Sequence, residues 1–165
     1  SDLQRFAGWW GHDDQRRFLM EKGFVPMKGA AGWQLSNAQI LSFAAHRVSL
    51  DIFQEAGFDK LREKSIQLTA YLEFLIDQIN ERASRYKIIT PRDPQARGCQ
   101  LSILTGSYGR ELFDYLTSHG VYCDWREPNL DNGESAVIRV APVPLYNNFK
   151  DVWKFAELLE KYRPA

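Results

Sequence analysis

Cysteine is scarce in this chain. Cys99 and Cys123 are the only two among 165 residues, and their separation excludes a cysteine-based metal or redox motif. Two reduced, partly buried thiols in a cytoplasmic protein are expected, with no metal site. Charge of one sign is missing too. Lys plus Arg and Asp plus Glu number 21 each, so neither a basic face for nucleic acid nor an acidic tail is present. The expected partner is a small molecule or another protein chain. No apolar run approaches the ~18 residues of a membrane span, and no secretory leader is recognisable. Internal repeats and low-complexity segments are absent.

What is abundant is aromatic. Phe, Trp and Tyr make up 13% of the residues, and three of the five Trp (Trp9, Trp10, Trp33) fall in the first 33 positions. That density suggests a surface meant to be covered. The opening strip is also broken by Gly23, Pro26, Gly29 and Gly32 and shows little apolar periodicity. It is expected to order only against a part of the protein missing from this chain, which reads as a piece of something longer.

Further along, periodicity takes over. Asp13 to Met20 allows a short helix with Asp13 or Asp14 as cap. Ser36-Asn37 then opens a helix to about Ala56, with Leu41, Ala44/Ala45, Val48 and Ile52 at helical spacing and Gly57 at its C′ position. A second helix spans about Asp59 to Ser84. Its apolar face is Leu61, Ser65, Leu68, Leu72, Leu75/Ile76 and Ile79, and its solvated face carries Lys60, Arg62, Glu63, Glu73 and Glu81. From Tyr86 the order is strand (86–90), turn (91–94), strand (99–105), helix (109–119), strand (121–125), turn (Asn129–Gly133), strand (136–141) and helix (147–162), the last with Phe149, Val152, Trp153, Ala156 and Leu159 facing inward. This order predicts an α+β sheet layered by helices.

Within the last strand Arg139 interrupts Ala136-Val-Ile-Arg-Val-Ala141, and no acid is closer in sequence than Glu134. Pro142 and Pro144 then hold the chain extended. A guanidinium so fixed suits a planar carboxylate gripped by two parallel hydrogen bonds. The same spacing also fits an exposed edge-strand residue alternating with Ile138 and Val140. Similar alternatives attend the N-terminal candidates. Trp9 offers a lone N–H donor and a flat face; Ser36-Asn37 can be a plain cap or an anion site. His12 can be an ordinary surface histidine, while His46 and His119 read as structural.

Together, Arg5–His12 (RFAGWWGH), Gly32–Asn37 (GWQLSN) and Ile138–Asn147 (IRVAPVPLYN) resemble the kynureninase family, in order and at its separations. Ile66–Leu75 (IQLTAYLEFL) matches more weakly. The resemblance covers essentially the whole chain. It implies a pyridoxal-phosphate enzyme of fold type I, a homodimer with its sites at the subunit interface, hydrolysing L-kynurenine or 3-hydroxykynurenine to an anthranilate and L-alanine. Residues 1–37 would be the remnant of the α/β large domain and its connection, and residues 38–165 the C-terminal α+β small domain. Trp9 and Asn37 match positions that contact the cofactor phosphate, Arg139 the arginine that holds the substrate α-carboxylate, and His12, Ser36 and Asn37 positions lining the substrate's aryl end. Where the family shows Phe after the first Trp, this chain has Trp10.

The family's Schiff-base lysine, in a Tyr-Lys motif just upstream of the GWxGH segment, has no counterpart here, nor does the aspartate that pairs with the pyridine nitrogen. The chain alone is therefore expected to be inactive, with no catalytic residue of its own. Two other readings compete: a fragment of a different fold type I enzyme such as a cysteine desulfurase, and a non-catalytic α+β binding module, ferredoxin-like from Tyr86 on.

Overall fold

The computed structural model describes residues 3–127 and 136–163. The expected turn Asn129–Gly133, and Glu134 with it, lie outside the described residues. The chain forms two compact units, Ser1–Ile52 and Phe53–Ala165.

In the second unit the sequence alternation becomes a four-stranded antiparallel sheet. Its strands are β1 (Lys87–Ile88), β2 (Leu101–Leu104), β3 (Asp124–Arg126) and β4 (Val137–Val140), in the order β1-β2-β4-β3. β2 pairs with β4 as Leu101↔Val140 and Ile103↔Ile138, and β3 adds Trp125↔Ile138. Because side chains alternate across a sheet, these residues share one face, and Ser102, Arg139 and Asp124 line up across the other. Arg139 thus sits on an inner strand, not the edge strand that its spacing also allowed. The chain order is strand-strand-helix-strand-strand-helix, which departs from the ferredoxin-like β-α-β-β-α-β order.

Three helices supply the rest of this unit: α2 (Phe58–Arg82), α3 (Gly109–Ser118) and α4 (Phe149–Lys161), preceded in the chain by α1 (Ile40–Ala56). Leu68, Leu72 and Ile76 of α2, Leu112 and Leu116 of α3, and Val152, Phe155, Ala156 and Leu159 of α4 enclose one core with Leu101, Ile103 and Ile138. A capping box starts α4: Asn148 Oδ1 accepts from the amides of Lys150 and Asp151, and the Asp151 carboxylate accepts from the Asn148 amide. Phe149 and Trp153, expected to face inward, are 46% and 48% exposed. The buried stripe runs instead through Val152, Phe155, Ala156 and Leu159, which leaves those two aromatics on its flank, Phe149 edge-on to Tyr71.

Glu73 also departs from expectation. It is buried against Arg97, whose side chain is 4% exposed, at 2.9 Å, because the 91–98 loop folds back onto α2. Arg92 grips Asp77 with both terminal nitrogens, and Arg62 donates to the Pro94 carbonyl.

The first unit is built otherwise. The expected helix at 13–20 is a single 3-10 turn, Arg17–Leu19, preceded by an Asx turn in which Asp13 Oδ1 accepts from the amides of Gln15 and Arg16. The helix expected from Ser36-Asn37 begins later, at Ile40. α1 buries none of its residues: Leu41, Val48 and Ile52 are at least 49% exposed. Gly57, at φ +85°, does occupy the left-handed position that ends it.

Candidate functional site

Backbone, not side chains, joins the two N-terminal motifs. A Cβ on Gly8 would stand 2.4 Å from Leu35 Cα and 2.5 Å from the Gln34 carbonyl oxygen. One on Gly32 would stand 2.2 Å from the Met27 carbonyl oxygen. Only glycine permits such approaches, so the segment of Trp9, Trp10 and His12 lies directly on the segment of Ser36 and Asn37. The amide of Asp13 donates to the Val25 carbonyl (2.8 Å), and that of Met27 to the Gly11 carbonyl (2.9 Å).

Each candidate then has a defined setting. Trp9 is 43% exposed and meets Phe18 edge-on at 5.5 Å. His12 stacks on Phe24, and its Nδ1 accepts from the Val25 amide at 2.9 Å. A neutral imidazole accepting at Nδ1 carries its proton at Nε2, so His12 offers a donor there. Ser36 and Asn37 are exposed and precede α1, so neither is the helix cap that the sequence suggested, and the helix-start anion site goes with it. Asn37 Oδ1 accepts instead from the indole N–H of Trp10. Trp9, His12 and Gly8 border a small cleft of about 240 Å³ with Arg17, Met20 and Phe24 among its other walls.

Arg17 went unnoticed in the sequence. It is 8% exposed, one terminal nitrogen donates to the carbonyls of Trp10 (3.0 Å) and His12 (2.9 Å), and its guanidinium lies 4.7 Å from the Trp10 ring centre. Its only sequence signal is a cation placed five residues after the GWWGH strip.

Arg139 belongs to the second unit. One terminal nitrogen lies 3.2 Å from an Asp124 carboxylate oxygen, and the other donates to Gln100 Oε1 at 3.0 Å. Asp124 stands directly opposite Arg139 in the sheet, fifteen positions away in sequence, and Arg126 also pairs with it. Two cations around one carboxylate leave a net positive charge. Gln100 takes one N–H of a guanidinium whose side chain is 37% exposed, and its buried Nε has no hydrogen-bond partner among the described residues. Asp124 and Gln100 hold the guanidinium from its own sheet and from the residue just before β2. Sequence proximity could not reveal Asp124 or Gln100, since strand register decides both.

Cys99 and Cys123 are free and half-buried, and burial pushes the Cys123 thiol up to about 11. That thiol stays protonated at neutral pH and makes a poor nucleophile. No helix among the described residues is long and apolar enough to cross a membrane.

Comparison with known proteins agrees along the chain. The family model described as the kynureninase C-terminal domain matches residues 61–159. A kynureninase of Koribacter versatilis is 53% identical over 156 residues, covering 94% of this chain and 35% of its own. One of Flavobacterium psychrophilum is 49% identical over 162 residues, with 98% and 36% covered. One of Xanthomonas euvesicatoria pv. vesicatoria is 49% identical over 168 residues, with 100% and 38% covered. The chain thus spans just over a third of the length of these relatives. It belongs to the kynureninase family, as a C-terminal portion of such a protein.

Proposed function

We propose that the full-length protein is a pyridoxal-phosphate-dependent hydrolase of fold type I, cleaving L-kynurenine or 3-hydroxykynurenine to the corresponding anthranilate and L-alanine. It works as a cytoplasmic homodimer with its sites at the subunit interface, and the 165 residues alone are inactive because the lysine that carries the cofactor lies upstream. Residues 1–37 end the large domain in this reading, and residues 38–165 are the small domain.

The donor set suits the cofactor. Trp9 and Asn37 are exposed and carry N–H donors, and a phosphate needs donors without competing acceptors. Asn37 meets that condition because its oxygen is already occupied by Trp10. When bound, pyridoxal phosphate supplies the electron sink for bond cleavage beside the amino group. The rest falls to the chain's own groups. Arg139 holds the α-carboxylate with N–H groups that have no partner among the described residues, while Asp124 and Gln100 hold the guanidinium. His12 Nε2–H and the Ser36 hydroxyl donate toward the polar groups of the aryl end.

The observation that supports this reading is Arg139 on an inner strand, paired to Asp124, within the residues 61–159 that match the kynureninase C-terminal domain. A bidentate charge-assisted pair in a partly dry site is worth about 2–5 kcal/mol on truncation. Arg139→Ala in the full-length protein should lower kcat/KM by roughly 30- to several thousand-fold. Arg139→Lys should recover little, because a point charge cannot reproduce the fork. Melting curves should stay close to the parent. Near-parental kcat/KM for Arg139→Ala refutes the assignment, and a collapsed melting temperature returns Arg139 to a structural role.

A further inference from the structure

We propose that Trp10 is a positioning residue: its indole N–H fixes the side-chain amide of Asn37 so that Nδ2, a pair of donors, faces an acceptor oxygen of cofactor or substrate. This rests on the reading above that Asn37 lines the site, and it adds a residue and a mechanism for how Asn37 acts.

An indole has one N–H and no acceptor. Whatever amide group it meets must be the oxygen, and Trp10 meets Oδ1 of Asn37. The remaining half of the amide is then –NH2, which finds no acceptor among the described residues. An unpinned carboxamide can turn over and offer its oxygen, which a phosphate or a carbonyl oxygen repels. Pinning removes that half of its conformations before the ligand arrives.

Trp10 can pin because it is itself held. Arg17 covers its ring at 4.7 Å and binds its carbonyl at 3.0 Å. Among the described residues of the first unit, Arg17 is the one buried side chain other than glycine. A guanidinium removed from water must be compensated; here two carbonyls and a ring face supply part of that, while Nε is buried with no partner among the described residues. The cation therefore locks the ring, the ring locks the amide, and the amide presents donors. Phenylalanine at position 10 keeps the ring for Arg17 and loses the last link.

The test is a double-mutant cycle in the full-length enzyme with Trp10→Phe, Asn37→Ala and the pair. Two quantities are read: the Kd of the apoenzyme for pyridoxal phosphate, from quenching of tryptophan fluorescence, and KM for L-kynurenine. Trp10→Phe should raise one of them about 3- to 10-fold, the range of one hydrogen bond, and by more than kcat falls. In the Asn37→Ala background the same substitution should have no effect. A rise in Kd identifies the phosphate oxygen as acceptor, and a rise in KM identifies a substrate oxygen. No rise in either, or an equal rise in both backgrounds, overturns the proposal. Hydrogen exchange of the Trp10 indole supplies a readout independent of turnover. It should be slow in the parent and fast in Asn37→Ala, even if the parent binds no cofactor, and fast exchange in both also overturns the proposal.

Discussion

The two units solve the folding problem with different materials. Among its described residues the second buries sixteen apolar side chains in one cluster, with Leu68, Ile76, Leu112 and Leu116 wholly out of solvent. Among the described residues 3–52 of the first, only Gly8, Gly11, Arg17 and Gly32 are buried. Order in the second therefore comes from apolar burial, the main driving force of folding. In the first it comes from backbone segments close enough to touch, a few hydrogen bonds and cations over rings, Arg17 on Trp10 and Arg5 on Trp33. Exposed Phe6, Phe18, Trp33, Leu41 and Phe43 show how much apolar surface the first unit leaves open. The candidates for cofactor and aryl contacts sit on that economical unit, whereas Arg139, the candidate for the substrate carboxylate, sits on the well-packed one. A site that must admit and release ligand suits the lower local stability of the first.

Core truncation gives the largest contrast. Leu72 is 1% exposed at the centre of the cluster, so Leu72→Ala should cost about 2–5 kcal/mol, transfer and cavity terms together. Leu41 is 86% exposed, so Leu41→Ala in the 165-residue chain should stay within about 0.5 kcal/mol. Urea unfolding of both variants measures this. Equal costs would abolish the distinction between the units.

Glycine substitution reverses the roles. Alanine at Gly8 forces the Gln34–Leu35 backbone away, with a cost of about 1–3 kcal/mol as for other overpacked sites. The amides of Asp13 and Met27, bonded across that unit, should lose hydrogen-exchange protection while the unfolding of the second unit is unchanged. Gly98 has open space around its would-be Cβ and no positive φ, and Gly98→Ala should be silent. Retained protection in Gly8→Ala would mean that the two motifs are held by something other than their close approach.

How much of this was legible in the sequence follows the same division. Where burial decides, periodicity sufficed: the α2 face Leu61, Leu68, Leu72, Ile76 and Ile79 and the alternation in β2 appear as read. On α4 the expected Val152, Ala156 and Leu159 are buried, while Phe155 and Leu158 take the places expected for Phe149 and Trp153. Arg139 stands out in the sequence, but its partners Asp124 and Gln100 do not, since no local pattern encodes strand register. In the first unit the glycines were legible as punctuation, yet not as points of contact, because close approach is a relation between distant segments. Arg17 was missed for the same reason. Ser36-Asn37 suits a cap or an anion site in the sequence, yet α1 starts only at Ile40, because an Asx or Ser ahead of a helix fits that pattern whether or not the helix starts there.

The smallest effect probes whether ion pairs, rather than the core, separate the two units. Arg92 holds Asp77 at 2.7 and 2.8 Å, yet the side chains are 54% and 47% exposed. The hydrogen bonds from Arg92 hold the Asp77 carboxyl below its usual 3.8, partly opposed by desolvation. Exposed pairs contribute under about 1 kcal/mol after screening. The sign follows from linkage: the unfolded chain takes up this proton more readily than the folded one. The stabilisation is therefore complete above pH 3.8 and lost as pH falls through the lower folded-state value. Asp77→Asn should lower stability by less than about 1 kcal/mol at pH 7, and the gap to the parent should close below the usual carboxylate range. It should also narrow in about 1 M salt, where charges are screened within ~3 Å. Urea midpoints of both proteins across pH and salt measure it. A gap beyond about 2 kcal/mol at neutral pH would assign to surface charge a share of stability that the exposed geometry denies it.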